Sequence, residues 1–370
     1  MDAKRSCQDV AVSIDLLRWY DAHARDLPWR AGPAQAADPY RVWLSEVMLQ
    51  QTTVAAVRPR FTAWVARWPD VASLAAADEA EVMAAWAGLG YYARARNLVK
   101  AARAVAAEHG GRFPSTEAAL RVLPGLGAYT AAAVAAIAFG ERAVVVDANV
   151  ERVVARLFAI DTPLPAARPA IRAAADAITP DTRAGDFAQA MMDLGATICT
   201  ARRPRCLLCP VRAHCTALAA GEPERLPVKA AKKARPHRLG TIFWLQRCMP
   251  RHPGDNAMER QVWLVRRPPR GLLGGMRALP TGPWAEEPAG LADAPGAAEW
   301  RMLDERVEHG FTHFDLTLSL AVATLAGDAA SPQGEGEWWP VADLDTAGLP
   351  TLFAKAARAI MAATTMESDR

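Results

Sequence analysis

Apolar residues recur at helical spacing through the first 220 positions of the chain. Val42, Leu44, Val47, Met48 and Val54 share one such pattern and predict a helix over residues 40–54; Leu98, Ala102 and Val105 form another. Short breakers separate these runs, among them Trp68-Pro69-Asp70, Gly110-Gly111, Phe113-Pro114 and Thr162-Pro163. Ser115-Thr116-Glu117, and Asp78 three residues before Glu81, have the chemistry of helix N-caps, whose side-chain oxygens accept from free first-turn N–H groups. After residue 240 the texture changes. Residues 241–247, 261–267 and 314–325 are short β-rich runs between Pro/Gly loops; 328–337 predicts a loop and 352–363 a last helix. Between the two textures lie residues 221–240, charged, dotted with proline and poor in large apolar side chains, which is linker composition. The expectation is an all-α front domain over 1–220, a linker over 221–240 and a smaller α+β domain over 241–370.

Composition supports two packed domains. Hydrophobic residues make up 51% of the 370, enough for full cores. No uncharged apolar run approaches the about 18 residues that a membrane-crossing helix needs. The opening residues lack a signal peptide's apolar stretch, so a cytoplasmic or nucleoid-associated location is expected. The net charge of +3 is uneven: residues 1–220 carry an excess of four basic side chains, 221–240 another four, and 241–370 an acidic excess of five. A basic front and connector suit a polyanionic partner, although a solvated surface of mixed charge explains the same counts.

Four of the six cysteines crowd into the pattern Cys199-x6-Cys206-x2-Cys209-x5-Cys215. Thiolates this close, with only short loops between them, can wrap one compact metal centre, either an iron–sulfur cluster or zinc. Zinc ribbons pair two distant knuckles, and only one C-x2-C occurs here. Cys7 and Cys248 lie outside the cluster and read as small apolar residues. Arg202, Arg203 and Arg205, inside the first interval, would meet phosphates or offset the thiolate charge.

Three further features carry chemistry. In Leu123-Pro124-Gly125-Leu126-Gly127, Gly125 and Gly127 lie just ahead of an apolar helix. Such a turn is either a plain tight turn or a helix N-terminus whose N–H groups seat a phosphate. Asp147, after three valines, is an N-cap, a buried functional carboxylate, or both. Glu46 is the only charge between Val42 and Ala56, and the block Gln50-Gln51-Thr52-Thr53 that follows suits a base edge or a nucleic-acid strand.

In this order, the Leu-Pro-Gly-Leu-Gly turn, Val146-Asp147-Ala148-Asn149-Val150 and the cysteine pattern resemble the helix-hairpin-helix DNA glycosylases related to endonuclease III. The runs from Ser45 to Thr52, Gly88 to Asn97 and Gln189 to Ala196 are similar to those of its MutY branch. The resemblance implies a mainly α glycosylase domain with an iron–sulfur cluster loop and a Nudix-like C-terminal domain. It implies that Cys199, Cys206, Cys209 and Cys215 hold one 4Fe–4S cluster, that Glu46 is the general acid, and that Asp147 faces the sugar. Asn149 matches the same pocket. Tyr129 stands where bifunctional relatives place a Schiff-base lysine, which implies a monofunctional enzyme. Arg25, Trp29, Arg30 and Gln189 match the walls that receive the extruded adenine. Gln51, Thr52, Leu89 and Tyr91 match residues wedged in or beside the duplex, and Gly125 and Gly127 match its backbone seat. Ala148 stands in place of the family's glycine, which removes no functional group.

Arg266 to Met276 and Phe311-Thr312-His313-Phe314 resemble the branch's C-terminal module, in which Phe311, Thr312 and His313 would contact 8-oxoguanine. Residues 282–291 supply no acidic metal-binding box, so pyrophosphatase chemistry is not expected. The implied partner is double-stranded DNA holding an adenine·8-oxoguanine mispair, met by a monomer. The implied reaction is acid-assisted hydrolysis of the N-glycosidic bond. Two other functions are an endonuclease III-type glycosylase for oxidised pyrimidines, opposed by Tyr129, and a silent mispair-binding protein, opposed by the presence of both Glu46 and Asp147.

Overall fold

The structure is a computed structural model, and it describes residues 7–32, 35–230, 234–250, 258–268, 271–287, 290–325 and 332–368. It divides into two compact units: Met1–Ala77 with Asn97–Lys232, and Asp78–Arg96 with Lys233–Arg370.

The first unit is helical. It contains α1 (Cys7–His23), α2 (Pro39–Leu49), α3 (Val54–Arg67) and α4 (Val71–Ala76). After α5 (Glu79–Ala85), which belongs to the second unit, the unit boundary falls within α6 (Ala93–Glu108). The first unit continues with α7 (Glu117–Leu120), α8 (Ala128–Phe139), α9 (Ala148–Leu157), α10 (Arg168–Ile178), α11 (Ala184–Thr197) and α12 (Thr216–Ala219). Helix α8 is buried continuously from Thr130 to Ala136, and its small side chains let α2, α7 and α11 pack against it. Helix α9 buries Val150, Val153, Val154 and Leu157 against α10 and α11. Gly195 permits that contact, because a Cβ there would lie 2.6 Å from Cβ of Asn149. Asp78 and Thr116 cap α5 and α7 as their sequences predict.

The helix expected over 40–54 is two. It stops at Leu49, and Gln51 takes a left-handed φ of 57° before Thr53 caps α3. The apolar spacing continues across the break, so periodicity alone could not find it.

The second unit is built on a sheet of β1 (His237–Pro250), β2 (Met258–Arg266), β3 (Arg277–Ala278), β4 (Arg301–Gly310), β5 (Asp315–Leu325) and β6 (Gly336–Pro340), with α13 (Thr351–Ser368) packed on it. The order is β3-β2-β1-β5-β4, with β6 also on β2. The pairing of β1 with β5 is parallel, Ile242 opposite Leu320 and Trp244 opposite Val322; every other pairing among the described strands is antiparallel. Both faces of β1 are covered, which explains its unbroken apolar run. Ile242 and Trp244 join Leu318, Leu320, Phe353 and Ile360, while Leu245 joins Trp263 and Leu325 on the other face.

The structure shortens the linker. Leu226 is buried, Leu164 N–H donates to the carbonyl of Val228 at 2.8 Å, and residues 237–240 are already strand. Residues 231–233 of that stretch lie outside the described residues, as do 328–331 of the expected loop and Pro269 and Arg270. Residues 336–337 of the expected loop are strand β6. Strand β4 escaped prediction because only Leu303 and Val307 of its ten residues are buried.

Candidate active site

Glu46 sits on α2 with 6% of its surface exposed, and the Tyr129 hydroxyl at the start of α8 donates to its Oε2. Burial pushes the Glu46 carboxyl up to about 7, with the negative Asp147 adding to the rise; the Tyr129 hydrogen bond and Arg30 pull against it. Tyr129 also lies 3.7 Å from Sδ of Met192, and burial, together with the facing carboxylates, raises its phenol well above the usual range. Glu46 is therefore an acid able to hold its proton near neutrality.

Beside it is a cavity. Arg25, Trp29, Arg30, Glu46 and Gln189 line it together, with Leu49, Ile137 and Met192. The residue that organises these walls went unnoticed in the sequence. Asp193 is wholly buried and accepts from both Nη atoms of Arg30 at 2.7 Å, from Nε of Arg25 at 2.6 Å and from the Arg25 N–H at 3.1 Å. One carboxylate thus sets two guanidiniums 163 and 168 residues away. Its signal was its standing as the single charge in the run from Gln189 to Ala196.

Asp147 caps α9, accepting from Val150 N–H at 2.7 Å and from Nδ2 of Asn149 at 2.9 Å. Burial raises its carboxyl, opposed by those donors and by Arg152. Arg152 donates to Oδ1 of Asn149 at 2.9 Å and to the carbonyl of Cys199 at 2.7 Å, so a continuous polar chain joins Asp147 to the cysteine loop.

Cys199, Cys206, Cys209 and Cys215 line one cavity. Burial lifts Cys206, Cys209 and Cys215, Cys209 to about 12, and neighbouring sulfurs add to each rise. Backbone N–H groups of Val211 and Leu218 meet Cys209 and Cys215. The guanidinium of Arg156, 1% exposed, lies 3.3 Å from Sγ of Cys199 and donates to the carbonyls of Thr200 and Leu226. Among the described residues no three His, Cys, Asp or Glu side chains are set to hold a single ion. The donor set nonetheless fits a thiolate-held centre: four sulfurs on one cavity, N–H donors aimed at them, and a buried cation against their charge. Arg202, Arg203 and Arg205 are exposed, and among the described residues it is Arg156 that hydrogen-bonds a cysteine sulfur.

The hairpin between α7 and α8 buries Leu120, Leu123 and Leu126. Gly125 has φ 77°, with no room for a Cβ 2.6 Å from that of Asn97, and Gly127 is the N-cap of α8. Gln51 is exposed and Thr52 half-buried, whereas Gln50 turns inward and donates to Thr130 Oγ1 at 3.2 Å. Glu46 and Gln50, one helical turn apart, thus grip Tyr129 and Thr130 of α8.

In the second unit, Tyr91 is 52% exposed, and its hydroxyl lies 3.4 Å from Oγ1 of Thr312. Leu89 is buried, and its carbonyl accepts from Arg94 at 2.7 Å. Phe311 is also turned inward, ringed by Trp284, His309 and Phe314, which leaves Thr312 and His313 exposed.

A glycine hairpin at a helix N-terminus, a buried acid over a cavity and a four-cysteine loop define a class: residues 44–176 match the HhH-GPD superfamily base excision DNA repair proteins, and residues 257–359 the NUDIX domain. The chain is 36% identical to the adenine DNA glycosylase of Homo sapiens, over 94% of this chain and 74% of that one. It is 45% identical to that of Mycolicibacterium smegmatis, over 57% and 70%. Among solved structures, a thermostable thymine-DNA glycosylase is 30% identical with a TM-score of 0.52, covering 58% of this chain and 97% of its own. The chain belongs to the adenine DNA glycosylase family.

Proposed function

We propose that this enzyme is a monofunctional glycosylase of base excision repair that hydrolyses adenine from duplex DNA where adenine lies opposite 8-oxoguanine or guanine. The observation that carries this is Glu46, a carboxyl pushed up to about 7 on the wall of the cavity formed with Arg25, Trp29, Arg30 and Gln189. A base must leave the stack before its glycosidic bond is reachable, at a cost of a few kcal/mol. In that cavity, protonated Glu46 gives its proton to a ring nitrogen of adenine, and the bond to C1′ breaks with its electron pair leaving on the base. Asp147 faces the positive sugar. Burial raises its carboxyl while its N–H donors and Arg152 oppose the rise, and in this reading Asp147 serves as the anion and Glu46 as the acid. Glu46, now a carboxylate, accepts a proton from the water whose oxygen bonds to C1′. Tyr129 supplies a hydrogen bond where an amine would be needed for a Schiff base, so the strand is left intact.

Cys199, Cys206, Cys209 and Cys215 would hold a 4Fe–4S cluster, which when bound compensates the four thiolates and ties their loop together. The first turn of α8, opened by Gly125 and Gly127, suits one DNA phosphate. Thr312 and His313, with Tyr91 at hand, suit the edge of the oxidised base opposite the adenine. A monomer accounts for all of these groups.

Single-turnover base release from adenine·8-oxoguanine, adenine·guanine and oxidised-thymine duplexes tests the proposal. Release of adenine, fastest opposite 8-oxoguanine and without strand cleavage, is expected. Release of the oxidised pyrimidine, or tight mispair binding with no release, would overturn it.

A further inference from the structure

The exposed pair Thr312-His313 sits on a built support. Phe311 N–H donates to the carbonyl of Phe314 at 2.9 Å, closing a turn that folds both rings to one side, 4.8 Å apart. Those rings meet Trp284, which stacks on Phe311 at 5.5 Å and 29° and tilts against Phe314 at 6.3 Å. Arg267 covers Trp284 at 4.9 Å from its centroid. The tryptophan is itself pinned. Its Nε1 donates to Thr281 Oγ1 at 3.1 Å, and Leu239 and Ala285 exchange backbone hydrogen bonds of 2.7 and 3.0 Å, holding its segment to β1. Strand β1 has glycine where the indole lies: a Cβ on Gly240 would come within 2.7 Å of Trp284 Cδ1.

We infer that Trp284 is a positioning residue for the base opposite the adenine: its indole fixes the 311–314 turn so that Thr312 and His313 point outward in one geometry. Nothing in the sequence motifs marks Trp284, whose ring contacts are with Phe311 and Phe314. Its effect passes through Phe311 and Phe314. A four-residue turn with two polar side chains in solvent would otherwise sample many arrangements, and discrimination between two bases differing by one oxygen and one N–H needs a single one. The inference rests on the proposed role of this loop.

The test uses the full-length, cluster-loaded protein and the ratio of single-turnover adenine release opposite 8-oxoguanine to that opposite guanine. Trp284→Ala should lower this ratio about tenfold, equivalent to ~1.4 kcal/mol of discrimination, while Trp284→Phe, which keeps a ring on Phe311, should largely restore it. A merely structural role would lower both rates together and leave the ratio alone, and that result overturns the inference. Should Trp284→Ala fail to fold, Thr281→Val removes the acceptor of the indole N–H together with the hydroxyl's own bond to the Gly282 carbonyl; a fall of about threefold in the ratio is expected, and an unchanged ratio overturns the inference. His313→Ala separates the two levels. If it loses the preference while Trp284→Ala keeps it, the loop reads the base but Trp284 does not position it. If neither changes the ratio, the loop's proposed role fails as well.

Discussion

Glu46 lies 6% exposed behind a phenol and a guanidinium, whereas Thr312 and His313 stand in solvent on a turn whose aromatic residues face the other way. Both places are suited to a nucleobase, and they are made by opposite means. At Glu46 the protein withdraws water from a charge until the neutral form competes near pH 7. At the 311–314 turn it buries only rings and leaves the polar groups hydrated. Proton transfer is helped by a poor dielectric; recognition by hydrogen bonding needs donors and acceptors that can reach a partner.

The contrast breaks first, and most strongly, at the carboxylates. Glu46→Gln and Asp147→Asn should each slow single-turnover adenine release by about a thousandfold or more, with mispair binding retained. Asparagine caps a helix as well as aspartate does, so a folded, inactive Asp147→Asn would report the lost charge and not a lost cap. Wild-type release should decline as pH rises above about 7, where Glu46 loses its proton. The same shift acts on stability. A carboxyl raised from 4.5 to about 7 binds its proton more tightly in the folded state, so its contribution is complete below 4.5 and is lost as pH climbs through 7. Denaturant melts at pH 5 and 8 should show that loss in the wild type and a smaller one in Glu46→Gln.

Next in size is Asp193→Ala, which strands two guanidiniums, one nearly buried; about 3 kcal/mol of destabilisation is expected in chemical denaturation, with loss of adenine affinity. Tyr129→Phe is milder. The phenol bond holds the Glu46 carboxyl down, so its removal should move the alkaline limb of the rate profile to higher pH. Smallest is Gln50→Leu with Thr130→Val. Each should cost about 1 kcal/mol, and a double-mutant cycle should find the two coupled, since each removes one end of the same hydrogen bond.

Much of the catalytic unit was legible because its signals are local. Glu46 announced itself as a lone charge in an apolar run, Asp147 as an acid between valines and a helix, and the cysteines by spacing. The hairpin glycines were legible for the same reason. What could not be read depends on partners far along the chain. Asp193 is marked in the sequence only as the single charge of its run, and its two partners, Arg25 and Arg30, lie far along the chain. Gln50 and Gln51 are identical neighbours, and only the left-handed turn at Gln51 sends one inward and one out. Leu89, which the resemblance sets beside the duplex, is buried, and its sequence neighbours do not announce that burial. In the second unit, the resemblance joins Phe311, Thr312 and His313 in one loop, and only the structure shows that Phe311 packs against Trp284 while the other two are exposed. Strand β4, with two buried positions in ten, carries almost no alternation to detect.

The parallel pairing of β1 with β5 has a consequence in time. His237 finds its partner at Asp315, so the central ladder of the sheet joins segments about 80 residues apart. During synthesis β1 emerges long before β5, and Ile242, Phe243, Trp244 and Leu245, apolar toward both faces, must wait with one edge open. The antiparallel partner β2 arrives early but covers only residues 246–250 of β1 in register. The newborn chain therefore passes through an interval in which the helical unit can be complete while an adhesive strand is still exposed, and that interval is where chaperone dependence and aggregation would concentrate.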